Sequence, residues 1–314
     1  MSETQTWDVV VVGSANTDYT VRGQHLPKPG ETAVGEQFQI GQGGKGANQA
    51  VAAARLGAKV AFIGRIGSDE RGDAMLQALN NEGVNIQYIL RDTETPTGAA
   101  VIQVEKSGEK QIFMAPNANS KLTAADIRQI PILRHARIVM MQLEIPLETV
   151  LEAAKLADAA GAKLILDPAP PTKLPDELLA RLTIIKPNSS EAETLTGVKV
   201  TNRNSARHAA DKLLQRGVQV VAVQAGGDGN LLVWQEGEVW LPKLPVESVD
   251  ATGAGDAFAA ALAVSLAEGR SWEEAGHFAN TAAALKTTKL GAQDALPYRQ
   301  QVLDYLRQSS ELEK

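Results

Sequence analysis

The segment from Asp250 to Asp256 carries the strongest chemical signal in the sequence, and it leads into a helical pattern. Consecutive backbone N–H groups at the start of a helix, aided by the helix dipole, form a site for an anion such as a phosphate group. The small residues Gly253, Ala254 and Gly255 let that anion approach the backbone closely. Asp256 then stands in the first turn beside the anion site. This pairing predicts phosphoryl transfer, with Asp256 taking a proton from the attacking hydroxyl group.

Other kinds of site have little support. The simplest alternative for Asp256 is an acid that only begins a helix, and the neighbouring glycines argue against it. Residues 41–46 fit the G-x-G-x-x-G dinucleotide fingerprint, but a half-polar strand precedes them and the next strand does not end in an acidic residue. The four histidines form no metal-binding pair, and the chain has no cysteine, no G-x-S-x-G and no Walker motif. The sequence therefore does not favour a histidine or cysteine metal site, a hydrolase or thiol chemistry.

Short β-branched runs alternate with helical patterns, which predicts an α/β fold: a three-layer, open, mostly parallel sheet with helices on both faces. The predicted strands are 9–12, 60–63, 138–141, 163–166, 182–185 and 218–223, and the predicted helices are 47–56, 74–82, 147–160, 189–195, 205–216, 256–268 and 272–285. The first strand is apolar throughout, as expected of a strand buried on both faces. Because no repeat or linker appears, residues 1–314 are expected to form a single domain.

Two half-polar stretches, residues 17–41 and 97–115, break this alternation. Within the second stretch, residues 101–105 and 111–114 are typical of a hairpin closed at 107–109. We predict that both stretches meet outside the main sheet as one small accessory β-sheet. Two unrelated surface loops are the alternative.

The composition limits the partners of the chain. Its 314 residues carry 31 Lys and Arg against 37 Asp and Glu, a net charge of −6, so we expect no nucleic-acid partner. Residues 1–8 are polar and acidic, unlike a signal peptide. Apolar stretches such as 257–267 are far shorter than the ~20 residues that span a membrane. These features predict a cytoplasmic protein with no membrane partner.

Two motifs in this order resemble those of the ribokinase family, the PfkB-type carbohydrate kinases. The N-terminal motif reads Gly-Gln-Gly-Gly-Lys-Gly-Ala-Asn-Gln-Ala at residues 41–50, followed by Gly-Arg-Ile-Gly-Ser-Asp at 64–69, and the C-terminal motif is the segment 250–256. The resemblance covers about residues 8–308. Within the family, residues 13–18 look most like those of ribokinases. The accessory sheet is then expected to act as a lid over the site.

The resemblance implies an ATP-dependent kinase that transfers the γ-phosphoryl group to the 5-hydroxyl group of D-ribose, with Asp256 as the base. It also implies a homodimer that pairs through the lids. Two alternatives stay open. One is a related kinase that acts on deoxyribose, fructose or a nucleoside. The other is a non-catalytic sugar-binding regulator, against which the intact Asp256 argues.

The resemblance assigns the sugar to the carboxyl ends of the strands, where ligands bind in open parallel sheets. The implied sugar-binding residues are Asn16, Asp18, Gly43, Gly44, Lys45, Asn48, Glu144 and Asp256. Acids, amides and a lysine supply donors and acceptors that match vicinal hydroxyl groups. Without the resemblance, Asn16 and Asp18 would equally fit a plain turn, and Lys45 a solvated charge.

For ATP and Mg²⁺ the resemblance implies a phosphate loop and a wall near the adenine. The matching positions are Asn188, Gln224, Gly226, Gly227, Gly229, Gly253, Ala254, Gly255 and Asn280. Glu191 would help to organise Mg²⁺ through water. Asn188 and Glu191 also fit a helix-capping pair, and both roles can hold at once. Gln224 and Ala251 each stand where the family usually has Thr, which puts those nucleotide contacts in question.

The resemblance further implies a K⁺ site beside the anion site. Its oxygen ligands would come from Asp250, Thr252 and the backbone carbonyls of Lys286, Lys289 and Gly291. Ala295 stands where ribokinases carry a Ser ligand, and losing one oxygen weakens a cation site. We therefore expect a formed site with weak K⁺ activation. The alternatives are that the Lys286 ammonium supplies the charge itself, or that Lys286 points to solvent while water fills the missing position.

Overall fold

The structure, a computed structural model, describes residues 6–312. The prediction of a start without a signal peptide concerns residues 1–8, of which 1–5 lie outside the described residues. The strands are β1 (Trp7–Val12), β2 (Asn16–Gly23), β3 (Gln37–Gly43), β4 (Val60–Gly67), β5 (Asn85–Asp92), β6 (Gly98–Glu105), β7 (Lys110–Ala115), β8 (Ala136–Gln142), β9 (Lys163–Asp167), β10 (Ile184–Ile185), β11 (Val220–Gln224), β12 (Gly229–Trp234) and β13 (Gly237–Pro242).

The α-helices are α1 (Lys45–Arg55), α2 (Glu70–Asn81), α3 (Ala124–Arg128), α4 (Leu147–Ala159), α5 (Asp176–Leu179), α6 (Ser189–Thr196), α7 (Arg203–Gln215), α8 (Ala254–Ala267), α9 (Trp272–Thr287) and α10 (Arg299–Leu312). Short 3-10 helices cover Asn117–Lys121 and Pro131–His135. Among the described helices, none is both long enough and apolar enough to cross a membrane.

The main sheet has the order β13-β12-β11-β10-β9-β8-β1-β4-β5, with β12 and β13 antiparallel at one edge and the other strands parallel. Each face carries its own core. Val9 and Val11 of β1 pack toward α1, α2, α8, α9 and α10, whereas Val10 and Val12 pack toward α3 to α7. The predicted three-layer α/β fold is therefore confirmed.

The predicted parallel strands are confirmed, and the missed strands of the main sheet are β5 at one edge and the pair β12 and β13 at the other end. At one edge β5 is half polar, because an edge strand buries only part of its surface. At the other edge, β12 and β13 follow β11 as an antiparallel extension. Helix α2 begins four residues earlier than position 74, because the Asp69 carboxylate caps it by accepting a hydrogen bond from the Gly72 backbone N–H. Helix α10 was also missed.

A second sheet, in the order β3-β2-β6-β7, joins the two half-polar stretches as predicted. The expected hairpin is present, since β6 and β7 pair from Ala99↔Ala115 to Val104↔Lys110. The register divides this sheet into two faces. One face carries polar residues such as Asp18 and Arg22 together with the buried Ala100, Ile102 and Val104. The other face carries apolar side chains exposed to solvent: Val21, Phe38, Ile40, Val101 and Phe113.

Candidate active site

Chain direction and strand order bring the polar residues together. Within the sheet, β4 and β5 lie on one side of β1, and β8 to β13 lie on its other side. The strand order therefore reverses beside β1. Such a switch point opens a crevice at the carboxyl ends of the strands. Asn16 follows β1, Glu144 follows β8, Asp167 ends β9, and Asp256 stands in the first turn of α8.

Asn16, Glu144 and Asp256 line a pocket of about 310 Å³ that the second sheet covers. The pocket is lined by Asn16, Asp18, Gly44, Lys45, Asn48, Glu144, Ala169, Pro170, Thr252, Gly253 and Asp256, and by Ala100, Ile102, Lys110, Ile112 and Met114 of the second sheet. The structure thus brings together every predicted sugar-binding residue except Gly43, which lies directly behind Asp18. A Cβ at Gly43 would collide with the Asp18 carboxylate, so glycine leaves the room that this side chain needs.

Asp256 is 4% exposed and hydrogen-bonded at both carboxylate oxygens. Its Oδ1 accepts from Lys45 Nζ at 3.3 Å and from Gln49 Nε2 at 3.1 Å. Its Oδ2 accepts from Asn48 Nδ2 at 3.0 Å. Oδ2 therefore has fewer protein donors than Oδ1. The arrangement fixes the carboxylate while leaving an acceptor position for a hydroxyl proton.

Lys45 joins Asp256 to a second buried acid that sequence reasoning missed. Its ammonium lies 2.9 Å from Asp167 Oδ2 and 3.3 Å from Asp256 Oδ1. Burial alone would lower the pKa of Lys45, but the charges of the two carboxylates outweigh it and hold that pKa well above its usual value. Gln49 donates to the same two acids, and Gln142 donates to Gln49 at 2.6 Å. Lys45 is thus a charged bridge at the floor of the pocket rather than a solvated lysine.

The Asn16 amide is held by a neighbour that the sequence did not single out. Asn119 Nδ2 donates to Asn16 Oδ1 at 2.8 Å, and the Asn119 side chain also bonds both backbone groups of Ala15. Because Oδ1 is already engaged, the Asn16 NH₂ group remains for a ligand; it contacts Met114 Sδ at 3.6 Å. Asn16 can therefore donate a hydrogen bond to a hydroxyl oxygen in the pocket.

Two further carboxyl groups line the pocket, and burial raises the pKa of both. The pKa of Asp18 rises to about 7, first because of burial and then because of the charges of Glu144 and Asp256, against which Lys110 acts. Burial likewise raises the pKa of Glu144, although Ser14 Oγ donates to its Oε2 at 2.5 Å and Lys45 lies nearby. A pocket lined by this many carboxyl groups favours a ligand that donates several hydrogen bonds.

The anion site at the start of α8 has a lysine beside it. The ammonium of Lys186 lies 2.7 Å from the point that a Cβ on Gly255 would occupy, so only glycine leaves it that approach. The same ammonium lies 3.7 Å from Asp167 Oδ2. Sequence reasoning missed both Lys186 and Asp167. One signal could have found them, because each is a charged residue where a buried strand ends.

A second pocket, of about 300 Å³, lies on the other side of the α8 start. Its wall contains the predicted nucleotide residues Gln224, Gly226, Gly227, Gly229, Ala254 and Asn280, together with Asn230, Lys243, Leu244, Val246, Ser248, Ala251, Ala283, Ala284 and Thr287. Asn280 uses both ends of its amide within the protein, donating to the Pro242 carbonyl at 2.9 Å and accepting from Asn230 at 3.1 Å. Gly253 lines the first pocket and Ala254 the second, so the start of α8 separates two adjoining cavities.

Asn188 and Glu191 form the capping pair at the start of α6. Asn188 Oδ1 accepts from the Glu191 N–H, and both Glu191 carboxylate oxygens accept from Asn188. Burial and the charge of Asp167 raise the pKa of Glu191. Within residues 6–312, no group of three or more His, Cys, Asp or Glu could hold a metal ion. Asp167 Oδ1, however, is buried with no hydrogen-bond partner. The site thus fits Mg²⁺ bound mainly by phosphates and water, with Asp167 and Glu191 as its nearby acids.

The loop before α8 is surrounded by cationic side chains. Arg22 lies 3.3 Å from Asp250 Oδ2, and Lys110 donates to Thr252 Oγ1 at 3.1 Å. The Lys286 ammonium donates to the Asp250 carbonyl oxygen at 2.7 Å, and Lys286 is 0% exposed. Burial lowers the pKa of Lys286 to about 8, which leaves it mostly protonated at neutral pH. Of the other predicted cation-site residues, Gly291 donates its N–H to Asp250, Lys289 is exposed and Ala295 is buried.

Comparisons with known proteins agree with this geometry. The pfkB family carbohydrate kinase profile matches residues 7–299. A ribokinase from Haemophilus influenzae is 44% identical over 300 residues, covering 95% of this chain and 98% of that one. A deoxyribokinase from Salmonella typhimurium is 35% identical, covering 95% and 98%. The solved structure of Arabidopsis thaliana ribokinase complexed with ribose and ATP superposes with a TM-score of 0.88 at 37% identity, covering 96% and 99%. The chain belongs to the pfkB family of carbohydrate kinases.

Proposed function

We propose that this protein is an ATP-dependent ribokinase that transfers the γ-phosphoryl group of ATP to the 5-hydroxyl group of D-ribose. One observation carries the proposal: a buried carboxylate, Asp256, stands at a helix start shared by a hydroxyl-binding pocket and a second, adjoining cavity. A ribokinase at 44% identity and a solved ribokinase with ribose and ATP support the choice of sugar and nucleotide. The proposed compartment is the cytoplasm, where ATP is available.

In this mechanism the chain mainly positions charge. Asp256 accepts the proton of the 5-hydroxyl group at Oδ2 as the oxygen attacks the γ-phosphorus. The N–H groups from Gly253 to Asp256 and the Lys186 ammonium stabilise the negative charge on the transferred group. Asp167 and Glu191 are the acids that would hold the water ligands of a bound Mg²⁺, which would supply positive charge to the phosphates. Lys45 keeps Asp256 and Asp167 in place and compensates their charge.

The second sheet acts as the lid of this site. Its polar face places Asp18 and Lys110 in the sugar pocket and Arg22 on the loop before α8. A covered site excludes water, and water would otherwise compete with the sugar for the phosphoryl group.

A second candidate is a deoxyribokinase, because a deoxyribokinase is 35% identical over nearly the whole chain. The held amide of Asn16 favours ribose. Its NH₂ group remains for a ring hydroxyl, and a sugar that lacks that hydroxyl would leave a buried donor unpaired.

A sugar panel with ATP and Mg²⁺ tests the proposal and the role of Asn16 together. We expect the highest kcat/KM with ribose, ahead of 2-deoxyribose, fructose and nucleosides. Replacing the amide by an apolar group in Asn16→Leu should lower kcat/KM for ribose by about tenfold or more, with a much smaller loss for 2-deoxyribose. The melting temperature of the variant serves as the folding control. ADP release with none of the sugars would contradict a kinase, and equal losses for both pentoses would contradict the role of Asn16.

We further propose that two copies pair through the exposed face of the lids. Phe113 is 79% exposed, and Val21, Phe38, Ile40 and Val101 extend the same apolar face across the four strands. An apolar patch of this kind on a sheet marks an interaction surface. Sedimentation of the full chain should give a dimer, and Phe113→Asp should give monomers with the same helix content. A wild-type monomer at micromolar concentration would contradict the pairing.

A further inference from the structure

Every oxygen of Asp250, the central ligand of the implied monovalent-cation site, already accepts a hydrogen bond or forms an ion pair. Asp250 Oδ1 accepts from the Thr252 N–H at 2.9 Å. Asp250 Oδ2 accepts from the Gly291 N–H at 3.1 Å and pairs with Arg22 at 3.3 Å. The remaining Asp250 oxygen, its backbone carbonyl, accepts from the Lys286 ammonium at 2.7 Å. A bound K⁺ needs several oxygen ligands, and every oxygen of the central candidate already has a donor.

Electrostatics also disfavours an additional cation. Lys286, Arg22 and Lys110 all contact the loop Asp250–Thr252, whose own carboxylate is that of Asp250, while Asp256 acts on Lys286 and Lys110 from the start of α8. A further positive ion would meet three like charges within a half-buried segment, where screening by water is weak. This geometry therefore does not favour the expectation of a formed K⁺ site with weak K⁺ activation. Lys286 is fully buried, which also argues against the alternative in which it points to solvent.

The position of the Lys286 stem connects it with the anion site. Lys286 lies in the last turn of α9, and its Cε is 3.7 Å from the point that a Cβ on Gly253 would occupy. Gly253 is the capping residue directly before α8, which begins at Ala254. The ammonium thus ties the loop before α8 to the end of α9, directly beneath the backbone N–H groups that would meet the phosphoryl group.

We propose that the Lys286 ammonium is a built-in substitute for a monovalent cation, holding the loop Asp250–Gly253 in the shape that forms the anion site. This inference rests on the proposed kinase function, for which Lys286 is a positioning residue. A tethered charge needs no ion from solution, because covalent attachment replaces the binding step. The enzyme therefore works at full rate without K⁺.

The test compares cations at constant ionic strength, using chloride salts of K⁺, Na⁺ and tetramethylammonium. The first readout is the melting temperature without substrates, which reports cation binding independently of turnover. We expect the wild type to melt at the same temperature in all three salts. Lys286→Ala removes the ammonium and opens space beside Asp250, so its melting temperature should be lower and should rise saturably with K⁺. Lys163→Ala, which removes an exposed lysine at the start of β9, is the matched control and should behave like the wild type.

The second readout is kcat with ribose, ATP and Mg²⁺. In tetramethylammonium, Lys286→Ala should lose about tenfold or more, and K⁺ should restore part of that loss. Lys286→Met keeps a stem that fills the space beside Asp250, so K⁺ should not restore the kcat of this variant. If Lys286→Ala fails to fold, the kcat of Lys286→Met tests the proposal in its place. A saturable K⁺ effect on the wild-type melting temperature would overturn the inference, as would wild-type turnover by both variants in tetramethylammonium. Because melting requires no sugar, failure to phosphorylate ribose would count against the proposed function and leave the first readout intact.

Discussion

Asp256→Asn is expected to lower kcat by about 10²–10⁴-fold, the usual cost of losing a general base. The amide has nearly the same shape as the carboxylate but cannot take the proton of the hydroxyl group. The surrounding network can accept the change. Asn48 Oδ1 is buried without a hydrogen-bond partner, so a flip of the Asn48 amide would present that oxygen to the new NH₂ group. The loss should therefore fall on the chemical step rather than on folding.

Turnover is measured as coupled ADP release at saturating ribose and ATP. Binding is measured separately, as the rise in melting temperature that each ligand causes, and we expect both rises to persist. Asp73→Asn is the matched control, because Asp73 is an exposed acid in the first turn of α2 that pairs with Arg91 on the surface, away from the pocket. A variant of Asp256 that keeps more than about a third of the wild-type kcat would contradict its role as base.

The sequence predicted the parts of the site that follow either from residues adjacent in the chain or from one general rule about parallel sheets. Gly253, Gly255 and Asp256 are neighbours in the chain, so a helix start and an acid can be recognised without knowing the fold. The pocket around Asn16 and Glu144 follows from one rule, that ligands bind at the carboxyl ends of parallel strands. The edge strand β5 escaped because it is half polar and buries only part of its surface, whereas β12 was missed although Leu231, Leu232 and Val233 form a buried apolar run.

The missed residues act through contacts between segments far apart in the chain. Asp167 is remote in sequence from Lys45, which it contacts, and only the pairing of β8 with β9 beside β1 brings them together. Asn119 reaches Asn16 from the 3-10 helix after β7, with no motif of its own. For Lys286 the sequence left three readings open, because a flexible four-carbon stem can turn toward solvent or into the loop. Packing at the end of α9 buries Lys286, which argues against the alternative in which it points to solvent.

The pH dependence of ribose use should report Asp18. Its pKa is raised to about 7 by burial and by the nearby charges of Glu144 and Asp256, so the group is increasingly protonated as the pH falls below 7. A sugar hydroxyl donates to the carboxylate, and the protonated acid has lost that acceptor. We expect kcat/KM for ribose, at saturating ATP, to fall about tenfold per pH unit below the pKa, or about a hundredfold by pH 5. At saturating ribose, kcat should be much flatter, because the bound sugar keeps Asp18 ionised.

Two further measurements separate Asp18 from other groups. Ribose binding below the pKa must expel the Asp18 proton, so calorimetry at pH 6 in buffers of different ionisation enthalpy should detect proton release, while at pH 8.5 it should detect almost none. Glu144→Gln removes one of the negative charges that raise the pKa, so the acid limb of kcat/KM should move to lower pH. A profile that stays flat from pH 8 to about pH 5, or ribose binding at pH 6 without proton release, would show that Asp18 does not meet the sugar as a carboxylate. If instead the limb is present but Glu144→Gln leaves it in place, burial and the charge of Asp256, rather than Glu144, raise this pKa.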